Sequence, residues 1–290
     1  MSDGPQVGQP DRHFRVVPAR RGLAWLIVAA SLLRRQVWRL LTVAVLVQLL
    51  MSLTRIPVLG LLVAIAIPIL SAGMLQCFHQ VRGSLPASPL VLFSPLSDTR
   101  LAARLFLLGG LIGLIAIVLI SWLLSGVEAL RDPGLLARME QGDLQAVLSL
   151  DPGVIQRIVL AISVGVGVSG TLAYFSVPLI WFRRLPIWAA IGTGLKALVR
   201  NWRPFLVLGL VLVALSFPLF LIMGLLVGMT AVSGGPGIIQ YAILLFTVLV
   251  IQLLMFGTQY CAYCEIFELG VGAGLDSSGQ ADSPDDQLVA

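Results

Sequence analysis

Four residues have the types that a tetrahedral metal site needs: Cys77, His79, Cys261 and Cys264. Thiolate sulfur and imidazole nitrogen are the usual ligands of structural zinc, and a Cys₃His set closes its coordination sphere. Cys77 and His79 end one apolar run, while Cys261-Ala262-Tyr263-Cys264 ends another, so the set works only if two helix ends converge. The plainer reading is that single cysteines act as small apolar fillers. A Cys-x-x-Cys on an apolar helix also lacks the βαβ setting of a redox pair. No metal or other cofactor is assigned.

Catalysis has little to work with. His13 and His79 are the only histidines, no HExxH or glycine-rich phosphate loop occurs, and no nucleophile stands beside a base. Hydrolysis needs a positioned acid–base pair. Glu128 and Glu265 are the acids left for any lipid-facing chemistry, and the chain reads as non-enzymatic. Uncharged polar residues lie within apolar runs, among them Gln48, Ser71, Ser216 and Gln252. They could line a hydrophilic cleft, or simply hydrogen-bond between helices, at about 1 kcal/mol each.

The composition decides the class. Of 290 residues, 58% are hydrophobic and 11% charged, with a mean hydropathy of +0.98. A soluble domain carries about 25% charged residues, so this chain cannot clothe a water-facing surface of its size. The net charge of +5 does not point to nucleic acid, because the basic residues flank apolar runs instead of covering a soluble face.

These observations predict an all-α integral membrane protein. A crossing takes about 20 apolar residues, and six runs meet or approach that length: 37–53, 58–76, 105–124, 158–181, 205–229 and 238–260. They pair as three hairpins within a transmembrane domain of residues 20–268. Residues 1–19 read as a disordered cytoplasmic N-terminus, and 269–290 as a disordered acidic tail. Pro57 breaks the first hairpin, and Pro68 and Pro218 should kink their spans. Two shorter runs, Gly22–Leu33 and Pro186–Val199, read as interfacial amphipathic helices with Trp25 and Trp188 at headgroup depth. Asp132-Pro133-Gly134 and Asp151-Pro152-Gly153 carry the signature of an N-cap followed by a first-turn proline.

A parallel internal repeat is suggested by LRRQVWRLL at Leu33–Leu41 against LVRNWRPFL at Leu198–Leu206. Each string precedes a two-helix hairpin, and shared interface chemistry would produce the same match. Counting arginine and lysine against the six spans places fifteen on one side and four on the other. The positive-inside rule then makes both termini cytoplasmic. Arg34, Arg35, Arg200 and Arg203 are the candidates for headgroup contact and orientation. No ionisable side chain falls near the middle of a span, which argues against ion-coupled transport. Small residues recur four apart at Gly109/Gly113, Gly165/Ser169 and Gly224/Gly228, as close helix packing requires.

Four strings carry a likeness: RIPVLG at Arg55–Gly60, LVLFSPLSDTRLAARLFLLGGL at Leu90–Leu111, KALVRNWRPFLVLGL at Lys196–Leu210 and YCEIFE at Tyr263–Glu268. The chain resembles an uncharacterised family of proteobacterial multi-pass inner-membrane proteins. The resemblance implies a bacterial inner (plasma) membrane location and a helical bundle, and it carries over no functional residue. The expected role is a non-enzymatic membrane scaffold or accessory component. Its partners would be membrane lipids and a second copy or another membrane protein. The alternative is a permease for a small solute or lipid, using the cleft between the duplicated hairpins.

Overall fold

A computed structural model describes residues 14–127, 132–140, 150–233 and 238–267. The tail readings for 1–13 and 268–290, and parts of the loop within the second hairpin (128–131 and 141–149), lie outside them. Every regular element among the described residues is helical. In chain order these are α1 (Arg21–Arg35), α2 (Val37–Ser52), α3 (Pro57–Arg82), α4 (Thr99–Leu124), α5 (Pro133–Glu140), α6 (Pro152–Arg183), α7 (Ile187–Arg200), α8 (Trp202–Ser233) and α9 (Ile238–Ile266). Short 3₁₀ segments occupy Leu53–Arg55 and Pro89–Ser97.

The breaks follow local chemistry. Asp151 accepts the N–H of Gly153 at 2.7 Å with Pro152 in the first turn of α6, and Asp132 accepts that of Gly134 at 2.9 Å ahead of α5. Asp98 caps α4, accepting from Arg100 and Leu101 at 3.1 and 3.2 Å. Such caps satisfy N–H groups that no helix turn can reach. The 3₁₀ turn before Pro57 ends the run of α2, while α3 and α8 continue through Pro68 and Pro218 as unbroken helices.

Four helices are long and apolar enough to cross a membrane: Val58–Arg82, Thr99–Leu124, Pro152–Arg183 and Ala242–Ile266. A fifth is added if Ile187–Arg200 and Trp202–Pro218, bent by 76° at Asn201, count as one broken span. At 16 residues, α2 is shorter than a full crossing. The apolar side chains of these helices face outward in number. Leu107, Val118, Val213 and Phe217 are each 60 to 68% exposed. In water such a surface would be unstable, whereas hydrocarbon solvates it and helical hydrogen bonding already satisfies the backbone.

The described chain divides into two compact units. Unit 1 draws on Met1–Leu46, Met74–Leu92 and Lys196–Ala290, and unit 2 on Val47–Gly73 and Phe93–Leu195. In unit 1, α1 packs chiefly on α9 and next on α8. Its buried stripe is Gly22, Trp25, Leu26, Ala29, Leu32 and Leu33, the spacing of one helix face. Gly22 is dictated by contact, because a Cβ there would stand 2.1 Å from the Pro204 carbonyl oxygen. Trp25, expected at headgroup depth, is instead 1% exposed, with its ring 5.2 Å from that of Phe205. The short run Gly22–Leu33 thus supplies core to unit 1, because its apolar face has protein partners far along the chain. Trp188, by contrast, is exposed.

In unit 2, α4 packs along α6. Gly109 of α4 lets the backbone of α3 approach, since a Cβ there would lie 2.0 Å from the Ile65 carbonyl oxygen. Gly113, one turn on, meets nothing within 4 Å. It borders an apolar cleft of about 360 Å³ among α3, α4 and α6.

Candidate functional site

The feature with the most definite geometry is a pair of side-chain amides at two helix elbows of unit 1. Gln36 stands between α1 and α2, and Asn201 between α7 and α8. Gln36 Nε2 donates to the Leu85 carbonyl at 2.8 Å, and its Oε1 accepts the Ala87 N–H at 2.8 Å. Asn201 Nδ2 donates to the Arg15 carbonyl at 3.2 Å, and its Oδ1 accepts the Val17 N–H at 2.9 Å. Each amide therefore clasps a segment without regular secondary structure, through the carbonyl of one residue and the N–H of the residue two further on. This uses both ends of the amide, as its donor and acceptor inventory allows.

Gln36 and Asn201 occupy equivalent positions in the two matched strings, LRRQVWRLL and LVRNWRPFL. The segment clasped by Gln36 follows α3 directly, at the end of the first hairpin. The segment clasped by Asn201 is the N-terminal stretch, which also joins the end of the third hairpin: Arg15 N–H donates to the Ile266 carbonyl at 2.8 Å. Phe14 meets Phe267 edge to face at 6.4 Å between centroids, beneath the Arg200 guanidinium at 5.9 Å.

Beside the second clasp, Glu265 is buried near the end of α9. Its Oε1 receives Arg21 Nε at 2.5 Å and its Oε2 receives the Trp25 indole N–H at 2.7 Å. A carboxylate removed from water needs such partners, and here both come from α1. The N-terminal helix is thereby fastened to the C-terminal end of the last span.

The other anticipated residues fall as follows. Cys77, Cys261 and Cys264 are buried free thiols, while His79 is exposed, with Nδ1 2.9 Å from the Tyr260 hydroxyl. Among the described residues no three His, Cys, Asp or Glu side chains gather as metal ligands would, the rim set included. Arg34, Arg35, Arg200 and Arg203 are all exposed at the two elbows, with Arg203 5.7 Å from the Trp202 ring centroid. Gln48 and Ser71 belong to unit 2 and Ser216 and Gln252 to unit 1, each half-buried. None of the four borders the apolar cleft, where Ser169 is the one polar side chain.

Sequence reading passed over the amides and the Glu265 trio. The string match already set Gln36 opposite Asn201, and Glu265 is an acid closing a long apolar run. Both signals were present, but their partners lie far away in the chain. No family model matches the chain, and no curated protein or solved structure is similar to it.

Proposed function

We propose that this chain is a multi-pass inner-membrane protein acting without catalysis, as a scaffold or accessory component whose two elbows engage anionic headgroups. The observation that carries the reading is the repeated elbow. In each, a clasping amide is followed by an exposed tryptophan, Trp38 or Trp202, and flanked by exposed arginines. Aromatic rings and arginines together favour the headgroup layer, with rings at the interface and guanidinium groups reaching phosphate. The 76° bend at Asn201 supports α7 lying along that layer while α8 enters the membrane.

The finer architecture belongs to the same reading. Six crossings, α2, α3, α4, α6, α8 and α9, form three hairpins with both termini cytoplasmic, α2 being a short first crossing. The matched clasps support an ancestral duplication in parallel orientation. The bacterial location rests on the likeness of the four strings. The permease alternative, through the cleft between the duplicated hairpins, has less behind it: its residues Gln48, Ser71, Ser216 and Gln252 are each half-buried, and none borders the apolar cleft of unit 2.

The test is reconstitution of the full chain in nanodiscs of phosphatidylcholine with and without phosphatidylglycerol. The anionic lipid should raise the thermal unfolding midpoint of the wild type. It should do so far less when Arg34, Arg35, Arg200 and Arg203 are all replaced by Gln. Equal shifts in the two proteins would remove the elbows from lipid engagement.

A further inference from the structure

The ends of α4 and α6 in unit 2 hold a second cationic feature. Arg184 adopts the left-handed conformation, φ 55 and ψ 26, at the C-terminal cap of α6, and the Leu185 N–H closes the turn on the Leu179 carbonyl at 3.3 Å. Glycine is the residue this cap favours, since a Cβ is disfavoured there. Arg104 of α4 donates from Nη1 to the Arg184 carbonyl at 2.8 Å, which sets the two arginines side by side. Arg100 and Arg183 flank them. The acid beside Arg184 is Asp98, whose Oδ2 stands at the long distance of 3.9 Å from its Nη2 while its Oδ1 caps α4. The Arg184 side chain is 75% exposed. Arginine at a glycine position, exposed and crowded with like charge, suits a site that receives an anion.

The apolar cleft opens along the same two helices. On α4 it runs from Gly109 to Ile120, roughly 7 to 24 Å along the helix from Arg104 at 1.5 Å per residue. One leaflet is half of a hydrocarbon layer about 30 Å thick, so an acyl chain whose phosphate sits at the arginines reaches the part of the cleft from Gly109 past Gly113. Pro68, Gly109, Gly165 and Ser169 shape its walls, and the open space at Gly113 widens it.

We propose that this face of unit 2 binds one anionic phospholipid, with its phosphate on Arg104 and Arg184 and one acyl chain in the cleft beside Gly113. A helix of a second copy would also match small residues, but it brings no anion to the arginines. Charge and cleft together select the lipid. The proposal rests on the membrane reading above and adds a site built of residues other than the elbow arginines.

The experiment counts lipids retained by the full-length protein, purified in mild detergent and examined by native mass spectrometry after exposure to equal phosphatidylglycerol and phosphatidylcholine. The wild type should keep about one phosphatidylglycerol with at least a tenfold preference. Arg184→Gly, which relaxes the cap, combined with Arg104→Gln should abolish the preference. Gly113→Leu should fill the cleft and remove retention of both lipids. The fourfold elbow variant should retain lipid as the wild type does. Equal retention of the two lipids by the wild type, or unchanged retention in both site variants, overturns the proposal. So does a wild-type dimer that Gly113→Leu converts to monomer with lipid content unchanged, because a second copy then occupies the cleft. A chain that stays dissolved and monomeric without detergent overturns the membrane reading itself, and this is observed before any lipid is counted.

Discussion

The indole N–H of Trp25 donates to the buried carboxylate of Glu265 at 2.7 Å, across 240 positions of sequence. Arg21 occupies the other oxygen at 2.5 Å, so two residues one turn apart on α1 hold both lone-pair faces of one acid. Removing one partner of a buried, hydrogen-bonded charge costs more than the pair contributes, because the remaining group stays desolvated. Glu265→Ala should destabilise unit 1 by about 3 kcal/mol, and Trp25→Phe by about 1.5 kcal/mol through loss of one charged hydrogen bond. Reversible unfolding in detergent micelles measures both. Equal stability of Glu265→Ala and wild type would mean that α1 is held by apolar contact alone.

The two clasps make separable predictions. Asn201→Ala removes the acceptor of the Val17 N–H and the donor to the Arg15 carbonyl. Hydrogen exchange at Val17 should then accelerate at least tenfold, with Ala87 unaffected. Gln36→Ala should accelerate exchange at Ala87 and leave Val17 unaffected. Acceleration at both sites in either variant would show that the elbows open as one unit.

Much of the architecture was legible because helix signals are local. Asp151-Pro152 and Asp132-Pro133 announce their helices within three residues, Pro57 marks its break, and hydrocarbon-length runs need no knowledge of neighbours. What stayed hidden depends on contacts between distant segments. Gly22–Leu33 is too short to cross and carries arginine pairs at both ends, so it reads as a surface helix. Only the approach of Pro204 to Gly22 shows that it is core. Likewise, the string match aligned Gln36 with Asn201, but nothing near either amide tells which backbone it clasps. Cys77 and Cys264 suit a metal by type, but nothing local shows that Cys264 comes to lie beside Tyr260 and Arg82.

Glycine positions offer a paired test of packing. Gly109→Ala puts a methyl 2.0 Å from the Ile65 carbonyl oxygen, a backbone atom that cannot swing aside, whereas Gly113→Ala meets nothing within 4 Å. Overpacking of this kind costs about 1–3 kcal/mol. The second change should be neutral or slightly stabilising, because alanine also lowers the entropy of the unfolded chain. Comparison of the two unfolding midpoints checks the contact. If Gly113→Ala proves the more harmful change, α3 does not press on α4 at Gly109.

Topology tests the short first crossing. If α2 traverses the membrane, the turn before Pro57 lies outside and the turn after α3 lies inside, so six crossings return the chain to the side where it began. Single cysteines placed at Thr54 and Ser84, in a background with Cys77, Cys261 and Cys264 replaced by Ala, should then differ in access to a membrane-impermeant maleimide. Thr54→Cys should react in intact cells, and Ser84→Cys only after the membrane is opened. Reporter fusions at Gly142 and Gly270 should be active outside and inside, respectively. The alternative is that α2 stays at the interface with α1. An odd number of crossings then follows, and the N-terminus falls on the same side as Thr54 and Gly142, because α3 and α4 separate those two positions by two crossings in either case. Labelling of Thr54→Cys against Ser2→Cys decides between the two, because α2 is the one candidate crossing between those positions: opposite sides mean that α2 crosses, the same side that it does not.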